Sequence, residues 1–158
     1  MVVLLGCGLG LLFVFISLSF VTFPADRHGL HSGALPAPRF QISEDSRAKE
    51  LTQVIESQLS AFRNDDYSKA YKYAASALTA QMSLPAFERM VKAGYPIIAR
   101  SRSAAFGVIF DNGEQAVVNV GIMGASGQIH HFKYLMEREH AGWKIRGVTE
   151  VRFEGTTA

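Results

Sequence analysis

Cysteine is almost absent from this 158-residue chain, and charge of either sign is absent from its beginning. The one cysteine, Cys7, has no second thiol to pair with, so no intrachain disulfide can form. Cysteine usage therefore does not choose between an oxidising and a reducing compartment. The formal net charge is only +2. Basic residues alternate with acids, as in Glu137-Arg138-Glu139 and Glu150-Val151-Arg152, and form no basic stripe, so no nucleic-acid partner is expected. No cluster of residues has catalytic or metal-ligand spacing, and neither a metal nor a cofactor is expected. The glycine turns at Asn112-Gly113 and Ala125-Ser126-Gly127 have no helix after them, which excludes glycine-rich loops of the helix-start type for phosphate.

What the chain does have at its start is a run from Val2 to Phe23 without a charged residue and without a polar face. At ~1.5 Å per residue such a helix crosses a hydrocarbon core of ~30 Å, so residues 1–23 read as a membrane-directing segment, anchor or signal. The run is long for a signal peptide and lacks a basic start, which favours an uncleaved anchor; Ser17-Leu18-Ser19 remains a passable cleavage site. Leu4-Leu5-Gly6-Cys7 resembles a lipoprotein box, but the cysteine comes too early for an export segment to precede it. Arg27 and Arg39 argue for a cytoplasmic domain by the positive-inside rule. N-terminal hydrophobic segments ahead of small domains more often export them, and a location outside the cytoplasm, periplasmic or extracellular, is expected.

Residues 24–42 are rich in Pro, Gly, Ala and His without periodicity and read as a flexible linker. Residues 43–158 then carry one α+β domain. A first helix is expected from a Ser43 N-cap, with Leu51, Val54, Ile55, Leu59 and Phe62 on one stripe. Asp66 caps a second helix from Tyr67 to about Ala75. Ser83 caps a third with Pro85 in its first turn, Phe87, Met90 and Val91 buried, and Gly94 just past its end. Beyond Tyr95-Pro96, a rigid corner, the period changes to two. Strands are expected at Ala105–Phe110, around Ala116 to Ile122, at Ile129–Glu139 and from Trp143 to Phe153, joined by short turns. On the last strand Trp143, Ile145, Thr149, Val151 and Phe153 share one parity. Helices first and antiparallel strands after indicate helices packed on one face of a four-stranded sheet.

This order of three helices and four strands resembles the cystatin-like, nuclear-transport-factor-two-like (SnoaL-like) superfamily. The resemblance implies a curved sheet wrapped around a long helix, leaving a cone-shaped pocket. Val54 to Phe62 followed by Asp65-Asp66 is similar to the opening helix of the bacterial domain-of-unknown-function family 4864. So are Gly94-Tyr95-Pro96, and Tyr134-Leu135-Met136-Glu137-Arg138 leading to Gly142-Trp143-Lys144-Ile145. The likeness runs from about Leu51 to Val151. It implies no activity, because that family has none assigned and a shared fold does not transfer function.

The adjacent pair His130-His131 points to opposite strand faces, and only His130 shares parity with Phe132, Tyr134 and Met136. His130 is the one candidate acid or base. Tyr67, Tyr71, Phe87, Tyr95, Phe106, Tyr134 and Trp143, with His130, are the candidate lining of a pocket for a small apolar ligand. Aromatics at helical and strand spacing are also what a plain core contains. The acids lie at helix ends and turns or beside an arginine, so no strong general base is legible. The leading expectation is a non-enzymatic module binding a ligand or a protein partner. A structural homodimer through the sheet and a small isomerase, cyclase or hydrolase using His130 are the alternatives.

Overall fold

The computed structural model describes residues 39–152. The hydrophobic run, most of the linker and Phe153 lie outside the described residues. Among the described residues no helix is long and apolar enough to cross a membrane.

The first helix, α1, spans Asp45–Arg63 and buries Leu51, Ile55, Leu59 and Phe62, the stripe expected from their spacing. Ser43 does not cap it. Glu44 holds the N-cap position without a side-chain bond, and the Ser43 hydroxyl donates to the Asp111 carboxylate, on a strand far away in sequence. A charged acceptor draws the hydroxyl toward the sheet and away from the helix amides from which a cap would accept. At the other end Asn64 Nδ2 donates to the Ser60 carbonyl (2.7 Å). Asp65 then turns the chain at φ 54°, in the left-handed region that aspartate tolerates better than most residues.

Asp66 caps the second helix, α2 (Tyr67–Tyr71), by accepting from the Lys69 amide at 2.8 Å. The helix ends earlier than its apolar spacing implies. The Tyr73 carbonyl and the Ala75 amide pair with the backbone of Ile145, so the next residues join the sheet edge instead. A short helix α3 (Ser76–Thr79) and the longer α4 (Leu84–Gly94) follow. Pro85 sits in the first turn of α4 as expected, and Phe87 and Val91 are buried; Met90 is only partly so. Gly94 is the last helical residue and not the turn after it, and Tyr95-Pro96 opens a further single turn, α5 (Pro96–Ala99).

The sheet has five antiparallel strands, not four, in the order β1 (Gln41–Ile42), β2 (Ser103–Asp111), β3 (Gln115–Met123), β4 (Ile129–Glu139) and β5 (Gly142–Val151). The additional strand β1 falls at the end of the stretch read as linker. Two residues are too few to show an alternating pattern, and their pairing with Phe110 and Asp111 is purely long-range. Asn112 organises the β2–β3 turn, its side-chain oxygen accepting from the amides of Glu114 and Gln115.

Two irregularities shift the parity of the strands. In β2 the register slips between Phe106 and Ile109, and in β5 it slips opposite Leu135 and Met136, which pair with Gly147 and Ile145. Arg146 is therefore an extra residue, a β-bulge. It reverses the expected side assignment beyond it. Val148 and Glu150, paired with Tyr134 and Phe132, share the inner face with Trp143 and Ile145, whereas Thr149 and Val151 face outward. The inner face then reads in rows across the strands. Ile109, Val118, Tyr134 and Val148 form one row; Asp111, Ala116, Met136 and Ile145 form the next. Helix α1 packs against this side, and its stripe and the rows make one core.

Candidate functional site

The inner face carries four polar groups in an otherwise apolar setting. At one end of the sheet His130 Nδ1 lies 2.9 Å from Glu150 Oε1, both side chains half-buried. His130 stands opposite Ile122, and Glu150 opposite Phe132, two residues along β4 and next on the same face. Nearby, the Tyr95 hydroxyl donates to the Val148 carbonyl at 3.3 Å. A carboxylate on one ring nitrogen orients the imidazole and leaves Nε2 as the nitrogen able to exchange a proton. Glu150 was missed from sequence because regular alternation puts it on the outer face. The available signal was Gly147, since a glycine inside a strand often marks a bulge.

Tyr134 sits in the middle of the face, 0% exposed, and its hydroxyl has no hydrogen-bond partner; Trp143 Nε1, toward the opposite end, is likewise unpartnered. Burial, with Glu56 adding to it, drives the Tyr134 hydroxyl far above the ordinary phenol range, so it is a fixed neutral O–H. Phe106 lies partly buried on the same face, paired with Val120.

Tyr67, Tyr71 and Phe87 lie elsewhere, among the helices. Phe87 stacks on Phe62 with ring centroids 6.1 Å apart and meets Tyr71 edge-on at 5.3 Å, and Tyr67 is 5.6 Å from Phe62. The Tyr71 hydroxyl donates to the carbonyls of Thr79 and Met82, closing the loop before α4. Lys92 covers the Tyr67 ring at 4.7 Å. Burial raises the Tyr67 hydroxyl's pKa, with Asp65 and Glu88 reinforcing and Lys92 opposing. The eight candidates thus divide into a helical aromatic cluster and a sheet group, with Tyr95 bridging toward the latter.

The fourth polar group is Asp111, on the inner face and 0% exposed. It accepts from the Ser43 hydroxyl, from Arg47 at 2.5 Å and from the Gly113 amide at 2.9 Å. Burial alone pushes the carboxyl's pKa up, but these donors together with the Arg47 charge bring it below the ordinary range. Both carboxylate oxygens are engaged and the side chain is sealed from solvent, so Asp111 locks α1 to the sheet and is out of a substrate's reach.

The outer face differs in kind. Ile42, Phe110, Val117 and Leu135 are successive partners across β1, β2, β3 and β4, and the row ends on Gly147. Ile42 is 70% exposed and Leu135 40%, with Val108 beside them at 53%. Lys133 and Glu137 flank Leu135 on the same strand face, and Asn119 and Gln115 flank Val117. Among the described residues no group of three His, Cys, Asp or Glu side chains is placed to hold a metal ion.

No curated protein and no solved structure matches the chain. Residues 44–158 match the domain of unknown function DUF4864, as the helix-one, Gly-Tyr-Pro and Gly-Trp-Lys-Ile segments imply. The chain belongs to that family.

Proposed function

We propose that the domain is a non-enzymatic interaction module that works by pairing, sheet face to sheet face, with a second copy of itself. In this reading it belongs to the nuclear-transport-factor-two-like superfamily, is tethered to a membrane by residues 1–23, and is held outside the cytoplasm. The observation that carries the reading is the apolar row Ile42–Phe110–Val117–Leu135, at one register across four strands, with Val117 half-buried and the other three exposed. Contiguous exposed apolar surface of this kind marks an interaction site. Four strands ~4.8 Å apart and ~30 Å long, with the two residues of β1 at their edge, give a face of roughly 600 Å², at the low end of the ~600–1,000 Å² per partner of a specific interface.

The flanking residues select the partner. A twofold axis along the apolar row lays each strand over its own copy, running the opposite way. Lys133 then faces Glu137 of the second copy, and Asn119 faces its Gln115, so one surface complements itself. The ligand-binding version is less favoured, because Tyr67, Phe87, Tyr134 and Trp143 are themselves core. Sedimentation of the full chain in detergent is the test. The wild type is expected to dimerise, and Leu135→Arg to raise Kd at least about thirtyfold. Lys133→Glu is expected to weaken the dimer and the swap Lys133→Glu/Glu137→Lys to restore it. A wild type that stays monomeric at all concentrations, or a swap that fails to restore pairing, sinks the reading.

One observation favours an enzymatic second reading, namely the His130–Glu150 pair on the inner face. An imidazole oriented by a carboxylate is an acid–base group suited to isomerase or hydrolase chemistry. Hydrolysis of p-nitrophenyl acetate reads it out. The expectation is a rate above that of equimolar imidazole, falling at least about tenfold in His130→Gln and partly in Glu150→Gln. An unchanged rate in both variants removes the assignment.

A further inference from the structure

Helix α2 and strand β5 bring three of the chain's six lysines to one concave surface. Lys69 and Lys72 are three residues apart and so lie on one side of the chain as it leaves α2. The parallel bridge between Ala74 and Ile145 then carries Lys144, the residue before Ile145, up to Lys72. Lys144 Nζ is held there by the Lys72 carbonyl at 2.6 Å. The three lysines, with Asp66, Ser68 and Tyr73, line a cleft of about 520 Å³.

Among the described residues none of the three ammonium groups forms an ion pair. Two carboxylates are near, and each is engaged. Asp66 accepts from the Lys69 amide, and Glu139, close enough to feel the Lys144 charge, accepts from the Ser76 amide at 2.7 Å. Clustered like charges repel unless an anion sits among them. The Ser68 and Tyr73 hydroxyls add neutral donors at the rim.

We infer that this cleft is an anion site for a phosphate-bearing ligand. A single carboxylate brings one negative charge to three ammonium groups, whereas a phosphate dianion brings two, spread over three oxygens. Lysine serves phosphate as a point charge on a flexible stem, without the planar fork that arginine uses for carboxylates. The volume exceeds that of the phosphate alone and leaves room for the group it is attached to. The phosphate belongs either to a free solute or to a lipid headgroup.

Isothermal titration of the full chain in nonionic detergent, at low ionic strength, decides the matter. Inorganic phosphate, dihexanoyl phosphatidic acid and acetate are the probes. The triple variant K69Q/K72Q/K144Q is compared with K49Q/R89Q/K92Q, which removes the same charge from basic residues outside both the cleft and the sheet face. The cleft triple is expected to weaken phosphate binding at least about tenfold, with the other triple within about twofold of wild type. Phosphatidic acid about tenfold tighter than phosphate supports the site with a lipid as its source; equal affinities support it with a free phosphate. The inference is overturned if the wild type shows no saturable binding of either probe, if both triples weaken it equally, or if acetate binds as tightly as phosphate. Melting temperatures near wild type in both triples establish that the comparison is between folded proteins.

Discussion

The two faces of the sheet are built from the same strands by the same alternation, yet only one of them is covered by the described residues. On the inner face Val118, Val120, Ile122, Phe132, Tyr134 and Met136 meet the Leu51–Ile55–Leu59 stripe of α1, and every one of them is buried. On the outer face Ile42, Phe110 and Leu135 stand exposed with nothing of the described chain above them. Their polar groups differ in the same sense. The inner face holds a carboxylate engaged by Ser43, Arg47 and Gly113, and an orphaned tyrosine hydroxyl. The outer face holds Lys133 in the open and Glu137 half-buried, 3.8 Å from Arg146. Inside, side chains are committed to the fold; outside, they remain available to something else.

That contrast can be broken by mutation. The largest effect is expected inside. Leu59→Ala should lower unfolding stability by about 3 kcal/mol, through lost burial and the cavity left under α1. Leu135→Ala, measured in the same urea titration at a concentration too low for pairing, should change it by less than about 0.5 kcal/mol. Similar losses from the two leucines would mean that the outer row is covered after all.

Next in size is the polar lock. Asp111→Asn should cost about 2 kcal/mol, less than the ~3–5 kcal/mol of a fully buried pair, because Arg47 is partly exposed and can turn to water. The same residue sets an acid limit. Its folded pKa lies below its unfolded one, so the unfolded chain binds more protons between the two. The lock's contribution is therefore present above the ordinary carboxylate range near ~3.9 and is lost as pH falls through the folded value. A melting series should show the wild-type advantage over Asp111→Asn shrinking below about pH 4. An advantage independent of pH would mean that shape, not charge, holds Ser43 and Arg47 in place.

Much of this was legible from residues alone, and the failures share one cause. Spacing located the buried stripe of α1, the Asp66 cap, Pro85 in α4 and the alternation of β3, because each depends on neighbours within a turn or two of chain. Ser43 was read as a cap and is instead a donor to Asp111. α2 was extended to Ala75 and instead gives its last residues to Ile145. Thr149 and Val151, expected to share the side of Trp143 and Ile145, face the other way, and Glu150 takes their place. In each case a partner distant in sequence offered the backbone or side chain a better bond than the local one.

By itself the sequence determined the α+β class, the order of helices before strands, the family, and which side chains of β3 and β4 face inward. These follow from periodicity and turn chemistry, which are local. Tertiary structure alone decided the fifth strand, the bulge at Arg146 that pairs Glu150 with His130, the sealing of Asp111, the bare row across the outer face and the gathering of Lys69, Lys72 and Lys144. Each of these is a register or a juxtaposition between segments far apart in the chain. Register is set by the packing of the whole sheet, and a single extra residue in one strand reverses every side chain beyond it.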